Sequence, residues 1–153
     1  MNESRAISMQ VSIIYLDNCC FNRPYDDQSY LTIKLESEAK LFVQKEILQS
    51  TFALVWSYMM DYENSVNPHN ERRKAIVKWK KVAKADIDFS EEINERGRQL
   101  MKLGLKNKDA LHVACALQGN CEYFLTTDKG ILSKLIDGIT VINPLDFVRR
   151  LGA

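Results

Sequence analysis

The chain has 153 residues, 46% apolar and 27% charged, with a net charge of +1. That is the length of one domain with a sizeable core, and it is neither a polycation nor a disordered polyampholyte, so any contact with nucleic acid must rest on local patches. No apolar run approaches the roughly 18 residues of a membrane span, and the polar start MNESRAISMQ lacks the apolar stretch of a signal peptide. Residues 1–10 read as a leader, residues 11–153 as a single domain, and the cytoplasm as its location. The four cysteines, Cys19, Cys20, Cys115 and Cys121, fit no common zinc spacing. They read as reduced, mostly buried thiols.

In chain order, Ser12 to Leu16 is short, apolar and β-branched, a first strand that Asp17 ends. Asn18 to Asp27, with its Arg-Pro step, is a loop or a broken turn of helix. Leu31, Leu35, Ala39, Phe42, Val43 and Ile47 recur at helical spacing and predict an amphipathic helix to about Gln49. Phe52 to Trp56 is a second strand, followed by Ser57 as an N-cap and a helix around Tyr58 to Asn64. Asn67-Pro68 predicts the start of a helix running to about Ala83. Ala85 to Phe89 is a short third strand, and Ser90 caps a helix that Gly104 closes. Lys108 to Gln118 is apolar almost all round and predicts a buried helix. Tyr123 to Thr126 and Ile139 to Ile142 are the fourth and fifth strands. A short helix at Ile131–Leu135 separates them, and Asn143-Pro144 opens a terminal helix. Strands alternate with helices throughout. This predicts a parallel sheet of about five strands with helices on both faces.

Four acids, Asp17, Glu63, Asp109 and Asp128, sit where a predicted strand ends or the next helix begins. An open parallel sheet binds ligands outside the carboxyl ends of its strands, so acids distant in sequence converge there. Each taken alone has a structural reading: Asp17 as a cap, Glu63 as a solvated helix acid, Asp109 at a helix N-terminus, Asp128 as a turn residue. Together they repel unless something positive lies between them, and oxygen-rich acidic clusters suit Mg²⁺ or Mn²⁺. A divalent cation there would activate water for attack on phosphorus and offset charge on the phosphate oxygens. Asp61 competes with Glu63 for a place in the group but cannot share its helix face, and the spacing from Ser57 favours Glu63. His112, one turn after Asp109, is either a hydrogen-bonded structural histidine or a base. His69 reads as solvent-exposed. Ser57, Thr126 and Thr127 are supporting polar residues that orient water or phosphate, or simply cap and bond strand ends.

Tyr15-Leu16-Asp17, the Ser57 to Glu63 spacing, Asp109-Ala110-Leu111-His112-Val113-Ala114, Thr126-Thr127-Asp128 and Ile142-Asn143-Pro144 occur in one order. In that order they resemble the PIN-domain nucleases, including the VapC-like toxins, from about Val11 to Val148. The resemblance implies a three-layer α/β/α fold and metal-dependent endoribonuclease activity. It assigns Asp17, Glu63 and Asp109 to the three core acids and Asp128 to the fourth, more variable one. It also implies an antitoxin protein as partner and a homodimer. Asn18 departs from the small hydroxyl residue commoner after the first acid, and Cys19-Cys20 is an unusual pair there.

The predicted helix from Pro68 to Ala83 carries the best basic patch. Lys74, Lys78 and Lys81 lie opposite Ile76, Trp79 and Ala83, with Arg73, Lys80 and Lys84 beside them. They are either a solvated face or contacts for an RNA backbone that the acids would otherwise repel. Arg96, Arg98, Lys102, Lys106 and Lys108 form a second basic group. Two other functions compete. One is a catalytically silent PIN-like module that binds RNA or protein, which has no need of four acids. The other is an aspartyl phosphotransferase, which needs a second Asp where this chain has Cys19.

Overall fold

The computed structural model describes residues 11–152, so the leader expected over residues 1–10 lies outside the described residues. The strands are β1 (Ser12–Leu16), β2 (Phe52–Ser57), β3 (Ala85–Ile87), β4 (Tyr123–Leu125) and β5 (Thr140–Ile142). The helices are α1 (Asn18–Asn22), α2 (Leu31–Leu48), α3 (Tyr58–Ser65), α4 (Asn70–Val77), α5 (Glu91–Met101), α6 (Asn107–Gln118), α7 (Lys129–Leu132) and α8 (Pro144–Arg150). All strands pair in parallel, in the order β3-β2-β1-β4-β5. The helices flank this sheet in a three-layer α/β/α arrangement, as the alternation predicts.

The near-continuous apolar runs of β1 and β2 suit strands covered on both faces. Ile14, Tyr15, Leu16, Leu54, Val55 and Trp56 are all buried. Tyr15 is in register with Val55 on one side and Phe124 on the other, and its ring stacks on Phe124 at 5.2 Å. On α5, a Cβ at Gly97 would meet Leu111 Cδ2 of α6 at 3.0 Å. The missing side chain lets these two helices approach closely. Among the described residues no helix is long and apolar enough to cross a membrane. All four cysteines are free. Burial pushes the Cys115 and Cys121 thiols up to about 12, so they are unreactive core residues.

Of the two readings of Asn18 to Asp27, the structure takes the broken turn of helix: α1 is followed by a 3₁₀ turn over Arg23–Tyr25, and Asp17 caps α1 through the Asn18 N–H. The structure departs from the sequence reading in two places. The helix expected from Pro68 to Ala83 begins at Asn70 with His69 as N-cap, and becomes a 3₁₀ helix over Lys78–Val82. The Asn67 side chain accepts from the His69 N–H instead of capping the helix itself. On α2 the buried face is not the Leu31–Leu35 stripe. Leu31 is 69% exposed, whereas Glu36, Lys40 and Gln44 are buried with Ala39, Val43 and Ile47. Polar partners turn the helix this way: Arg23 Nε lies 3.0 Å from Glu36 Oε1, and Asn143 Nδ2 donates to Glu36 Oε2.

Candidate metal centre

The strand order reverses about β1, which has β2 on one side and β4 on the other. The crevice at such a switch point is where an open parallel sheet takes its ligand. Asp17 stands there, 7% exposed, with its N–H donating to Leu125 O of β4. Its Oδ1 accepts from the Asn18 N–H (2.8 Å). Its Oδ2 accepts from the Thr126 hydroxyl (2.8 Å) and the Cys19 thiol (3.4 Å). The Thr126–Asp17 bond ties the ends of β1 and β4 together, and Thr126 also accepts from the Asp128 N–H (3.0 Å). Cys19 therefore occupies a place beside the first acid where it donates to the carboxylate.

Ser57 caps α3 by accepting from the Met60 N–H (3.3 Å), and this sets the turn that carries Glu63. Glu63 Oε1 bonds His112 Nε2 on α6. The other ring nitrogen of His112 lies 2.6 Å from the Tyr15 hydroxyl, which lies 2.7 Å from Ser57 Oγ. Tyr15, Ser57, His112 and Glu63 thus form one hydrogen-bonded chain from the end of β1 to α3. Of its four members only Glu63 reaches solvent appreciably. Atoms of Asp17, Glu63 and His112 of the kinds that ligate metals lie within 4.8 Å of one another.

Asp109, in the first turn of α6, lies outside that tight group but feels it. Burial pushes its carboxyl up from the ordinary value, and the charges of Asp128, Asp17 and Glu63 push the same way against His112. Glu63 is held below its ordinary value by the His112 hydrogen bond, against the effect of burial. For His112, burial alone would favour the neutral ring. The Glu63 bond and the charges of Asp17, Glu63 and Asp109 outweigh burial and push it up. Asp128 is exposed and caps α7, accepting from the Gly130 N–H (2.7 Å). Asp61 is drawn elsewhere, accepting from Trp56 Nε1 (2.9 Å) and pairing with Lys80 (3.1 Å). Lys80 also lies 3.7 Å from Asp86, so of the basic run it is committed within the fold. Lys74, Lys78 and Lys81 are exposed.

The donor set suits a hard divalent cation. Its atoms are mainly carboxylate oxygens, and beyond the effect of burial the charges of Asp128, Asp17 and Glu63 raise the proton affinity of Asp109. Both His112 nitrogens are already engaged, so its part is to hold Glu63 rather than to offer a lone pair. The sequence marked His112 without its partner. The available signal was its spacing of one turn from Asp109, which puts both on one face of α6.

A family model described as PIN domain matches residues 14–135. The chain belongs to the PIN-domain family. This is the nuclease family that its ordered motifs resemble. No curated protein matches the chain. Among solved structures, a chain from the crystal structure of VapBC2 from Rickettsia felis, bound to a DNA fragment from their promoter, is similar at 20% identity. The match covers 86% of this PIN-domain chain and 98% of that one, with a TM-score of 0.49.

His112→Ala in this PIN domain leaves Glu63 without its hydrogen-bond partner inside the protein and the Tyr15 hydroxyl with Ser57 alone. It is expected to destabilise the fold by about 1–3 kcal/mol. Urea denaturation of the metal-free protein measures it, and a loss within error would show that water replaces the ring without cost.

Proposed function

We propose that this PIN-domain chain is an endoribonuclease dependent on Mg²⁺ or Mn²⁺. The convergence of Asp17, Glu63 and His112 at the switch point of the sheet supports this reading best. Asp17, Asp109 and Glu63 are the residues that would hold the cation, with Asp128 at the rim. When bound, the cation supplies a nucleophilic water and charge stabilisation at the scissile phosphate. The chain's own residues do the rest. Thr126 and the Asn18 N–H fix the Asp17 carboxylate. His112, itself held by Tyr15, fixes Glu63. Ser57 supports that chain, and Thr127 stands where it could orient phosphate or water.

The ordered motifs further support a VapC-like toxin silenced in the cytoplasm by an antitoxin, with a homodimer as the working assembly. Incubation of purified protein with single-stranded and structured RNA, in Mn²⁺, Mg²⁺ or EDTA, tests the reading. Cleavage with either metal and none in EDTA is expected. Equal cleavage in EDTA would refute metal dependence. Binding of RNA without cleavage across a broad panel would make the chain a silent binding module instead.

The exposed Lys74, Lys78 and Lys81 are the candidate RNA contacts. Changing all three to Gln is expected to lower RNA affinity and to flatten its dependence on salt, since fewer counterions are released. Filter binding across a salt series checks this. Unchanged affinity at low salt would leave them an ordinary solvated face.

A further inference from the structure

Lys40 is a largely buried cation with no counter-ion among the described residues. It sits on α2 with 6% of its surface exposed. No described carboxylate forms an ion pair with it. Its Nζ lies 5.5 Å from the centre of the Phe21 ring and makes no hydrogen bond to a described residue. Burial lowers its pKa to about 8, so it is still mostly charged at neutral pH. One turn further on, Gln44 is also 6% exposed, and its Nε2 has no hydrogen-bond partner. A largely desolvated charge without an ion pair is costly, and so is a buried amide donor without an acceptor. Here both occur together, four residues apart on one helix face.

Both side chains line the same cavity, of about 190 Å³, between α2 and the α4 segment. Its other walls include Phe21, Tyr25, Ile76 and Trp79. The cavity therefore has an apolar, largely aromatic body and a polar end composed of donors. We propose that it binds a carboxylate carried on an apolar or aromatic group, with Lys40 Nζ and Gln44 Nε2 donating to the carboxylate oxygens. One cation and one neutral amide match a single negative charge, whereas a phosphate dianion would leave a charge uncompensated. The size suits one ring, since a dry cavity of about 150 Å³ holds benzene. None of these residues belongs to the acidic group, and the inference does not rest on nuclease activity. The carboxylate can come from a free small acid or from the C-terminus of a partner chain.

The test is an NMR titration of the isotopically labelled full chain. Its probes are benzoate, benzamide, inorganic phosphate and the peptide acetyl-Gly-Gly-Phe as free acid and as amide. Benzoate or the free-acid peptide should shift the Trp79 indole resonance and raise the Lys40 pKa. Benzamide, the peptide amide and phosphate should do neither. Preference for benzoate marks a small acid as the source, and preference for the peptide acid marks a chain end. Lys40→Met keeps the stem and removes the charge, and should weaken carboxylate binding at least about tenfold. Gln44→Leu should weaken it less, and serves if Lys40→Met does not fold. No response to either carboxylate, equal binding of benzamide, or undiminished binding by the folded variants would overturn the proposal.

Discussion

Asp17→Asn and Asp109→Asn proteins are expected to cleave RNA at rates lower by roughly a hundredfold or more than wild type. Loss of residues that merely orient a metal ligand typically costs about 10–100-fold, and these two would hold the cation itself. Asn keeps the size and one acceptor oxygen but removes the charge that a hard cation needs. In Asp17→Asn the amide can still accept from Thr126 or from the Asn18 N–H, so the strand ends stay tied and the fold persists. Asp109 carries a second, separable signature. Its carboxyl is pushed up in the folded protein, chiefly by burial and then by Asp128 and Asp17. A group with a raised folded pKa contributes stability below its unfolded pKa and loses it as pH rises through the folded value. At neutral pH the metal-free wild type therefore bears a penalty that Asp109→Asn relieves. The variant should melt higher than wild type at pH 7, and that advantage should vanish as pH falls through the carboxylate range. Gel assays of cleavage and thermal melts across pH measure the two effects. Cleavage equal to wild type in both variants would point to a contaminating nuclease and end the catalytic assignment. An Asp128→Asn protein should lose less activity, because Asp128 is exposed and already serves as the cap of α7.

Mn²⁺ or Mg²⁺ is expected to raise the melting temperature of the wild-type chain. A ligand at about 100 times its Kd stabilises a fold by about 2.7 kcal/mol. The effect should be large at pH 7 and small at pH 4, where protons compete for the same carboxylates. The Glu63–His112 pair sharpens the expectation. Without metal, Glu63 is held low and His112 is held high, each chiefly through their shared bond once burial has been overcome. Glu63's share of stability is present above its unfolded pKa and is lost as pH falls through the lower folded value. That of His112 is present below its unfolded pKa and is lost as pH rises through the higher folded value. The metal-free protein is therefore most stable between the two, and cation binding should extend the stable range upward in pH. Calorimetry reads both the binding heat and the melting shift. An Asp17→Asn chain should show little of either. A wild type with no binding heat at millimolar Mn²⁺ or Mg²⁺ would remove the cation from the candidate centre.

Much of the architecture was legible because it depends on local patterning. The apolar, β-branched runs at Ser12–Leu16 and Phe52–Ser57 could pack only as covered strands. The strand–helix alternation then left a parallel sheet as the economical topology. Strand ends are where an open sheet gathers ligands, so Asp17 and Glu63 could be singled out before their proximity was known. Ser57 separated Glu63 from Asp61 because the cap fixes the helix phase.

What periodicity could not reach was the partner of each polar side chain. Asp61 is taken by Trp56 and Lys80, 5 and 19 residues away in sequence, and His112 is shared by Tyr15 and Glu63, 97 and 49 residues away. On α2 the apolar spacing pointed to Leu31 and Leu35, yet the buried face takes in Glu36, Lys40 and Gln44. The rotation of that helix is set by Arg23 and Asn143, which lie on other elements. The chain by itself determined which elements form and which acids stand at strand ends, because apolar periodicity and caps act over a few residues. Only the tertiary structure decided how helices are turned and which buried polar groups are satisfied. Those depend on contacts between segments far apart in sequence, and they left Lys40 and Gln44 facing a cavity.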